Sequence, residues 1–268
     1  MSDGDARKER FATGQSMGEI VSSVETKKVA ARPEATERDG AALVVRDLCK
    51  SFHHPTNVSI DVLRRASFAV GAGEIVAITG ASGAGKTTLL HLIAGIERAD
   101  SGQIVFGRFD ITRADDAALA RWRREHVAVV FQAHRLLPDL ATLENVALPL
   151  LIARRPGREA RERAHRLLAQ VGLSDRCAHS VAQLSAGEQQ RAAIARALVS
   201  APSLLLADEP TGNLDPQTAA NVVELLIALC QEHRTTALIV THNEQVAQRC
   251  DRTLLIEGGV VRSADAER

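Results

Sequence analysis

Apolar residues along the chain fall into short runs separated by glycine-rich or polar punctuation. Leu43-Val44-Val45 reads as a strand, followed by a loop with Phe52, His53, His54 and Pro55, then a second strand over about Val62 to Val70. A Gly71-Ala72-Gly73 turn leads into the apolar run Ile75-Val76-Ala77-Ile78, and Leu89, Leu90, Leu92 and Ile93 follow at helical spacing. Ser101 to Gly107 predicts another short strand closed by glycine. From about 133 to 198 the texture is helical, rich in Ala, Leu, Arg and Glu, with no good strand. Leu204-Leu205-Leu206-Ala207 and Ala237-Leu238-Ile239-Val240 predict buried strands, with an amphipathic helix from Ala219 to Cys230 between them, a βαβ unit in a parallel sheet. Arg252 to Val261 predicts a hairpin turning at Gly258-Gly259. Short strands alternating with helices predict a mixed α/β layered fold.

Residues 1–40 contrast with all of this. They scatter charge among Ser, Thr, Gly and Ala with few residues able to pack, and are expected to form a disordered polar tail, with Met17 as an alternative start. The remainder, 41–264, is expected to be one domain.

Composition removes several classes of function. Lys plus Arg and Asp plus Glu number 33 each, so the net charge is zero and a generally basic nucleic-acid binder is excluded. Aromatic content of 3%, with no Tyr and one Trp, provides no base-stacking platform. The arginines at 154, 155, 158, 161, 163 and 166 are interleaved with Glu159 and Glu162 at four-residue spacing to Arg163 and Arg166, the pattern of a solvated helix face. Cys49, Cys177, Cys230 and Cys250 are widely spaced and read as thiols in a reducing compartment, not as a disulfide frame or zinc site. No apolar run is long enough to span a bilayer and no signal-peptide core follows Met1, so the protein is expected in the cytoplasm.

The chemistry centres on Gly80-Ala81-Ser82-Gly83-Ala84-Gly85-Lys86-Thr87, which fits G-x-x-x-x-G-K-[ST] between a strand and a helix. Its glycines let successive N–H groups point into one concavity, and the helix adds the positive end of its dipole. The ligand that fits is a polyphosphate: Lys86 meets the β- and γ-phosphates, Thr87 ligates Mg²⁺ and Thr88 reaches an α-phosphate oxygen. Downstream, the apolar strand 204–207 ends in two acids. Asp208 is placed to hold Mg²⁺ and Glu209, one residue on, to polarise a water. Leu184-Ser185-Ala186-Gly187-Glu188-Gln189-Gln190-Arg191 opens a helix with a hydroxyl and a glycine N–H, a second anion-binding corner.

Taken together, these motifs resemble the ATP-binding cassette (ABC) ATPases over about residues 42 to 263. The resemblance implies a P-loop NTPase core with a parallel sheet, an antiparallel β subdomain and an inserted helical subdomain at about 133–198. It makes Phe131-Gln132 the Q-loop, with Gln132 near Mg²⁺ and the attacking water, Asn213-Leu214-Asp215 the D-loop, and His242 the switch histidine. Phe52, with His53 as a less favoured substitute, takes the place of the adenine-stacking aromatic. It also implies a head-to-tail pair of copies, each ATP lying between the phosphate loop of one and Ser185, Gly187 and Glu188 of the other, so that one copy alone hydrolyses poorly. The stretches 131–140, 143–150 and 207–215 are similar to the lipoprotein-releasing and macrolide-exporter group. That points to a peripheral subunit on the cytoplasmic face of the inner membrane, driving a separate permease, with Leu136, Leu137 and Leu140 presented to it. The alternatives are the sister cell-division cassettes and soluble non-transport ABC ATPases. Two departures stand out: Ala186 replaces a Gly and Val181 a Pro of the family pattern.

Overall fold

The computed structural model describes residues 41–53 and 59–264, so the tail expected over 1–40 lies outside the described residues, as do His54 and Pro55. Strands β1 (Ala41–His53) and β2 (Ser59–Gly71) pair antiparallel, from Leu43 opposite Val70 to Phe52 opposite Ile60. The expected loop at Phe52 and His53 is therefore the end of a strand. Leu43 and Val45 alternate inward; a register shift between Val45 and Leu48 lets Leu48 return to the same buried face after a three-residue step. That irregularity hides the second half of β1 from an alternation pattern. β4 (Ser101–Phe106) and β5 (Phe109–Asp110) complete a four-stranded antiparallel sheet in the order β2-β1-β4-β5.

The second sheet has six strands, ordered β10-β9-β3-β8-β7-β6. β3 (Ile75–Thr79), β6 (Val127–Phe131), β7 (Leu204–Asp208), β8 (Thr236–Val240) and β9 (Arg252–Glu257) run parallel. β10 (Val260–Ser263) returns antiparallel through Gly258-Gly259, both at positive φ, a two-residue turn that suits the twist of the strands. The unbroken apolar runs follow from burial on both faces. Leu205, Ala207, Ala237 and Ile239 enter one core, while Leu204, Leu206, Leu238 and Val240 enter the other. On one side this sheet meets α1 (Lys86–Ile93) and the antiparallel sheet through Leu89, Leu92, Leu43 and Ile104. On the other it meets α6 (Pro216–His233) and the helical region.

α2 (Asp116–His126) and β6 were not expected from the pattern. Asp115 caps α2 by accepting the Ala118 N–H at 2.7 Å, and the helix runs straight into Val127 with no glycine or proline to mark the change. Between 133 and 198 the chain forms α3 (Thr142–Ile152), α4 (Gly157–Gln170) and α5 (Ala186–Leu198). α4 buries Ala160, Ala164, Leu167 and Leu168 and turns its arginines to solvent, where Glu162 pairs with Arg158 at 2.8 Å. Val181, standing where the resembled pattern has a proline, starts a single 3₁₀ turn and packs into the core. Among the described residues no helix is long and apolar enough to cross a membrane.

Candidate nucleotide-binding site

Four parallel strands deliver the candidate groups at their carboxyl ends, where open α/β sheets place ligands. β3 leads into the phosphate loop, β6 into Gln132, β7 into Asp208 and Glu209, and β8 into His242. Within the loop the Ala84 N–H donates to the Ala81 carbonyl at 3.1 Å, and Lys86 Nζ donates to the carbonyls of Gly80 and Ala81, both at 2.9 Å. Gly80 and Gly85 are required by neighbouring strands as well as by the turn. At Gly80, φ is +144° and a Cβ would press on the Ile256 carbonyl of β9; at Gly85, φ is +100° and a Cβ would stand 2.8 Å from Val62 Cγ1. Gly85 is also the N-cap of α1, and no side chain caps the first turn there, whereas Asp115, Ser185 and Asp215 cap α2, α5 and α6. The first-turn amides of α1 are thus left for an anion.

Thr87 Oγ1 donates to Asp208 Oδ2 at 2.9 Å, bringing together a hydroxyl and a carboxylate from two elements. Glu209 follows at φ +48°, its N–H held by the Val240 carbonyl at 3.0 Å, and its Oε2 stands 2.8 Å from His242 Nδ1. The Glu209 side chain is largely covered while His242 is open to solvent, so the pair forms a wall of the site with the histidine at its rim. Thr87, Asp208 and the Gln132 amide are hard oxygen donors. Among the described residues no three His, Cys, Asp or Glu form a metal cluster. One carboxylate with a hydroxyl is a donor pair that fits Mg²⁺.

The other candidates have partners of their own outside this cluster. Ser185 caps α5, accepting the Glu188 N–H at 3.3 Å, while Glu188 Oε2 accepts the Ser185 N–H at 2.8 Å and its Oε1 meets Arg176 Nε at 3.1 Å. Burial raises the Glu188 pKa, but the Ser185 amide and Arg176 outweigh it and hold the carboxyl below its usual range. Both Glu188 oxygens are therefore engaged locally. Gly187 is buried, and a Cβ there would fall 2.6 Å from Thr218 Cγ2, so its smallness serves packing against the start of α6. Asp215 caps α6 through the Thr218 N–H at 3.0 Å, and the hydrogen bonds from Thr218 lower its pKa. Phe52 is 41% exposed at the end of β1, with Lys50 Nζ 5.0 Å from its ring centroid.

Ala186 is the exposed first residue of α5, beside the Ser185 hydroxyl. Ala186→Gly is expected to raise ATP turnover of the paired protein by a factor of a few, corresponding to about 1 kcal/mol of barrier, by allowing closer backbone approach. An unchanged steady-state rate would show that the methyl group points away from the nucleotide.

Several residues that shape the site escaped the sequence reading. Arg196, near the end of α5, donates to the His134 carbonyl at 2.8 Å and the Arg135 carbonyl at 2.6 Å, and Gln190 Nε2 donates to Phe131 O at 3.2 Å. The helix that begins at Ser185 therefore grips the main chain on both sides of Gln132. Buried Asn145 accepts the Leu137 N–H at 2.7 Å and donates to the carbonyls of Leu137 and Leu140, both at 3.0 Å. Burial, with Arg196 adding to it, lowers the His134 pKa. Cys230 and Cys250 are pushed up to about 12 by burial, which keeps them as inert thiols.

A phosphate loop entering an uncapped helix, beside an acid-bearing strand and a glutamate–histidine pair, defines the class as a P-loop nucleoside triphosphatase. Residues 63–212 match the family model described as ABC transporter. The lipoprotein-releasing system ATP-binding protein LolD of Geobacter metallireducens is 48% identical over 220 residues, covering 82% of this chain and 97% of that protein. LolD of Idiomarina loihiensis is 43% identical over 221 residues, covering 82% and 96%. Among solved structures, the dimeric post-hydrolysis state of the ATP-binding cassette MJ0796 bound to ADP and Pi matches with a TM-score of 0.75 at 35% identity, covering 82% of this chain and 97% of that one. The chain belongs to the ABC transporter ATP-binding family and is an ATPase with the mixed α/β cassette fold expected from the motifs.

Proposed function

We propose that two copies pair head to tail, with each ATP lying between the phosphate loop of one copy and the Ser185 segment of the other. Their closure drives an inner-membrane permease in lipoprotein release. The protein would then work on the cytoplasmic face of that membrane. Thr87, Asp208 and Gln132 would hold Mg²⁺, which when bound would supply positive charge to the polyphosphate. Glu209 takes a proton from the attacking water, His242 orients it, and Phe52 stacks on adenine. The observation that carries this reading is the division of the machinery. Glu209, His242 and the Thr87–Asp208 pair converge at the strand ends, while exposed Ser185 caps a helix elsewhere with only local partners.

The permease contact falls on the segment after Gln132, but not on all three leucines expected there. Leu136 is 6% exposed and packs into the protein's own core, whereas Leu137 is 44% exposed on a main chain fixed by Asn145. A rigid loop presenting one bare leucine suits an apolar helix of the permease. Leu137→Asp is expected to leave basal ATPase activity of the purified protein unchanged and to abolish co-purification with the permease from detergent extract. Normal recovery of that complex would put the docking surface elsewhere.

A further inference from the structure

Gln132 follows β6, and Asn213 lies in the turn that joins Glu209 to Asp215; their carboxamides meet. Gln132 Nε2 donates to Asn213 Oδ1 at 3.1 Å, and Asn213 Nδ2 donates to the main-chain carbonyl of Gln132 at 3.4 Å. Gly212 closes the arrangement: a Cβ there would stand 2.8 Å from Gln132 Nε2 and 3.2 Å from its Cγ. Both carboxamides are exposed, so the core does not need the contact.

A carboxamide has one donating end and one accepting end. One Nε2–H of Gln132 bonds Asn213, so the amino end faces the 209–215 segment and Oε1 is the end turned away from it, and only that oxygen can ligate a hard cation or accept a hydrogen bond from water. Asn213 is itself held in one orientation. Turning its amide over would set NH₂ against NH₂ at Gln132 Nε2 and oxygen against oxygen at the Gln132 carbonyl. We infer that Asn213 is a positioning residue that fixes the Gln132 carboxamide with Oε1 toward the nucleotide's Mg²⁺ and the attacking water. A residue that orients a metal ligand through its other end commonly contributes about ten- to a hundredfold in metal affinity or activity. The inference rests on the assignment of Gln132 to the cation site.

The test uses the full chain with Asn213→Ala, Gln132→Ala and the double variant, each also combined with Glu209→Gln. Two quantities are read: the Mg²⁺ midpoint of steady-state ATPase activity, and the Mg²⁺ midpoint of ATP-bound dimer formation by size-exclusion chromatography in the Glu209→Gln background. Asn213→Ala is expected to raise both midpoints about tenfold while Mg²⁺-free ATP binding stays parental, and to add nothing on top of Gln132→Ala. Parental midpoints in Asn213→Ala would overturn the inference. So would additive effects in the double variant, which would mean that Asn213 acts without Gln132, or loss of Mg²⁺-free binding, which would place the effect in the fold. Parental midpoints in Gln132→Ala would remove the assignment of Gln132 itself, and the inference with it, a result distinct from a failure of Asn213 alone.

Discussion

Glu209→Gln is expected to lower ATP turnover by roughly 10²- to 10⁴-fold, the usual contribution of a positioned base, while leaving ATP bound. The amide keeps the size of the carboxylate and its acceptor oxygen near His242 Nδ1, so the φ +48° backbone and the packing around it are undisturbed. What is lost is basicity. The groups proposed to hold the polyphosphate, Lys86 and the uncapped amides of α1, follow β3 and are untouched. Removing a negative charge beside the γ-phosphate also favours the ATP state, so the variant is expected to accumulate as an ATP-bound dimer by size-exclusion chromatography. Single-turnover hydrolysis at the parental rate would sink the assignment of Glu209 as the base.

The parts of this site legible in the sequence are those whose cause is local. The phosphate loop carries its turn glycines and its helix start within eight residues, and the strand 204–207 announces burial on both faces through an unbroken apolar run. What escaped depends on partners far along the chain. Gly80 is needed because Ile256 passes behind it, and Gly187 because Thr218 does; no pattern around either glycine states this. Arg196 looks like any helix arginine until its guanidinium is seen to hold two carbonyls more than sixty positions earlier. Leu136 and Leu137 are neighbours of the same type, and only the bonds of Asn145 and Arg196 to the surrounding main chain decide which one turns inward. β6 was lost for a different reason: the charged helix before it ends without a punctuating residue.

Ser185→Arg is expected to abolish turnover by the paired protein, a loss of about 10²- to 10³-fold or more, the scale set by removing a positioned donor at a reacting charge. The effect on the separate copy should be small. The Ser185 hydroxyl caps α5 through the Glu188 N–H, and losing such a cap costs about 1 kcal/mol. The other half of the capping box runs from the main-chain N–H of residue 185 to Glu188 Oε2 and survives the exchange. A long guanidinium side chain in place of a hydroxyl holds the second copy away from the γ-phosphate, while the phosphate loop of its own copy keeps its ligand. ATP binding by the variant should therefore be parental, and its ATP-bound dimer absent in the Glu209→Gln background. Mixing provides the sharper test. When Ser185→Arg protein is combined with Lys86→Ala protein, each mixed dimer contains one site with an intact phosphate loop facing an intact Ser185, so part of the activity should return. If Ser185 served the nucleotide of its own copy, every mixed dimer would be broken at both sites, and the mixture would remain as inactive as its components.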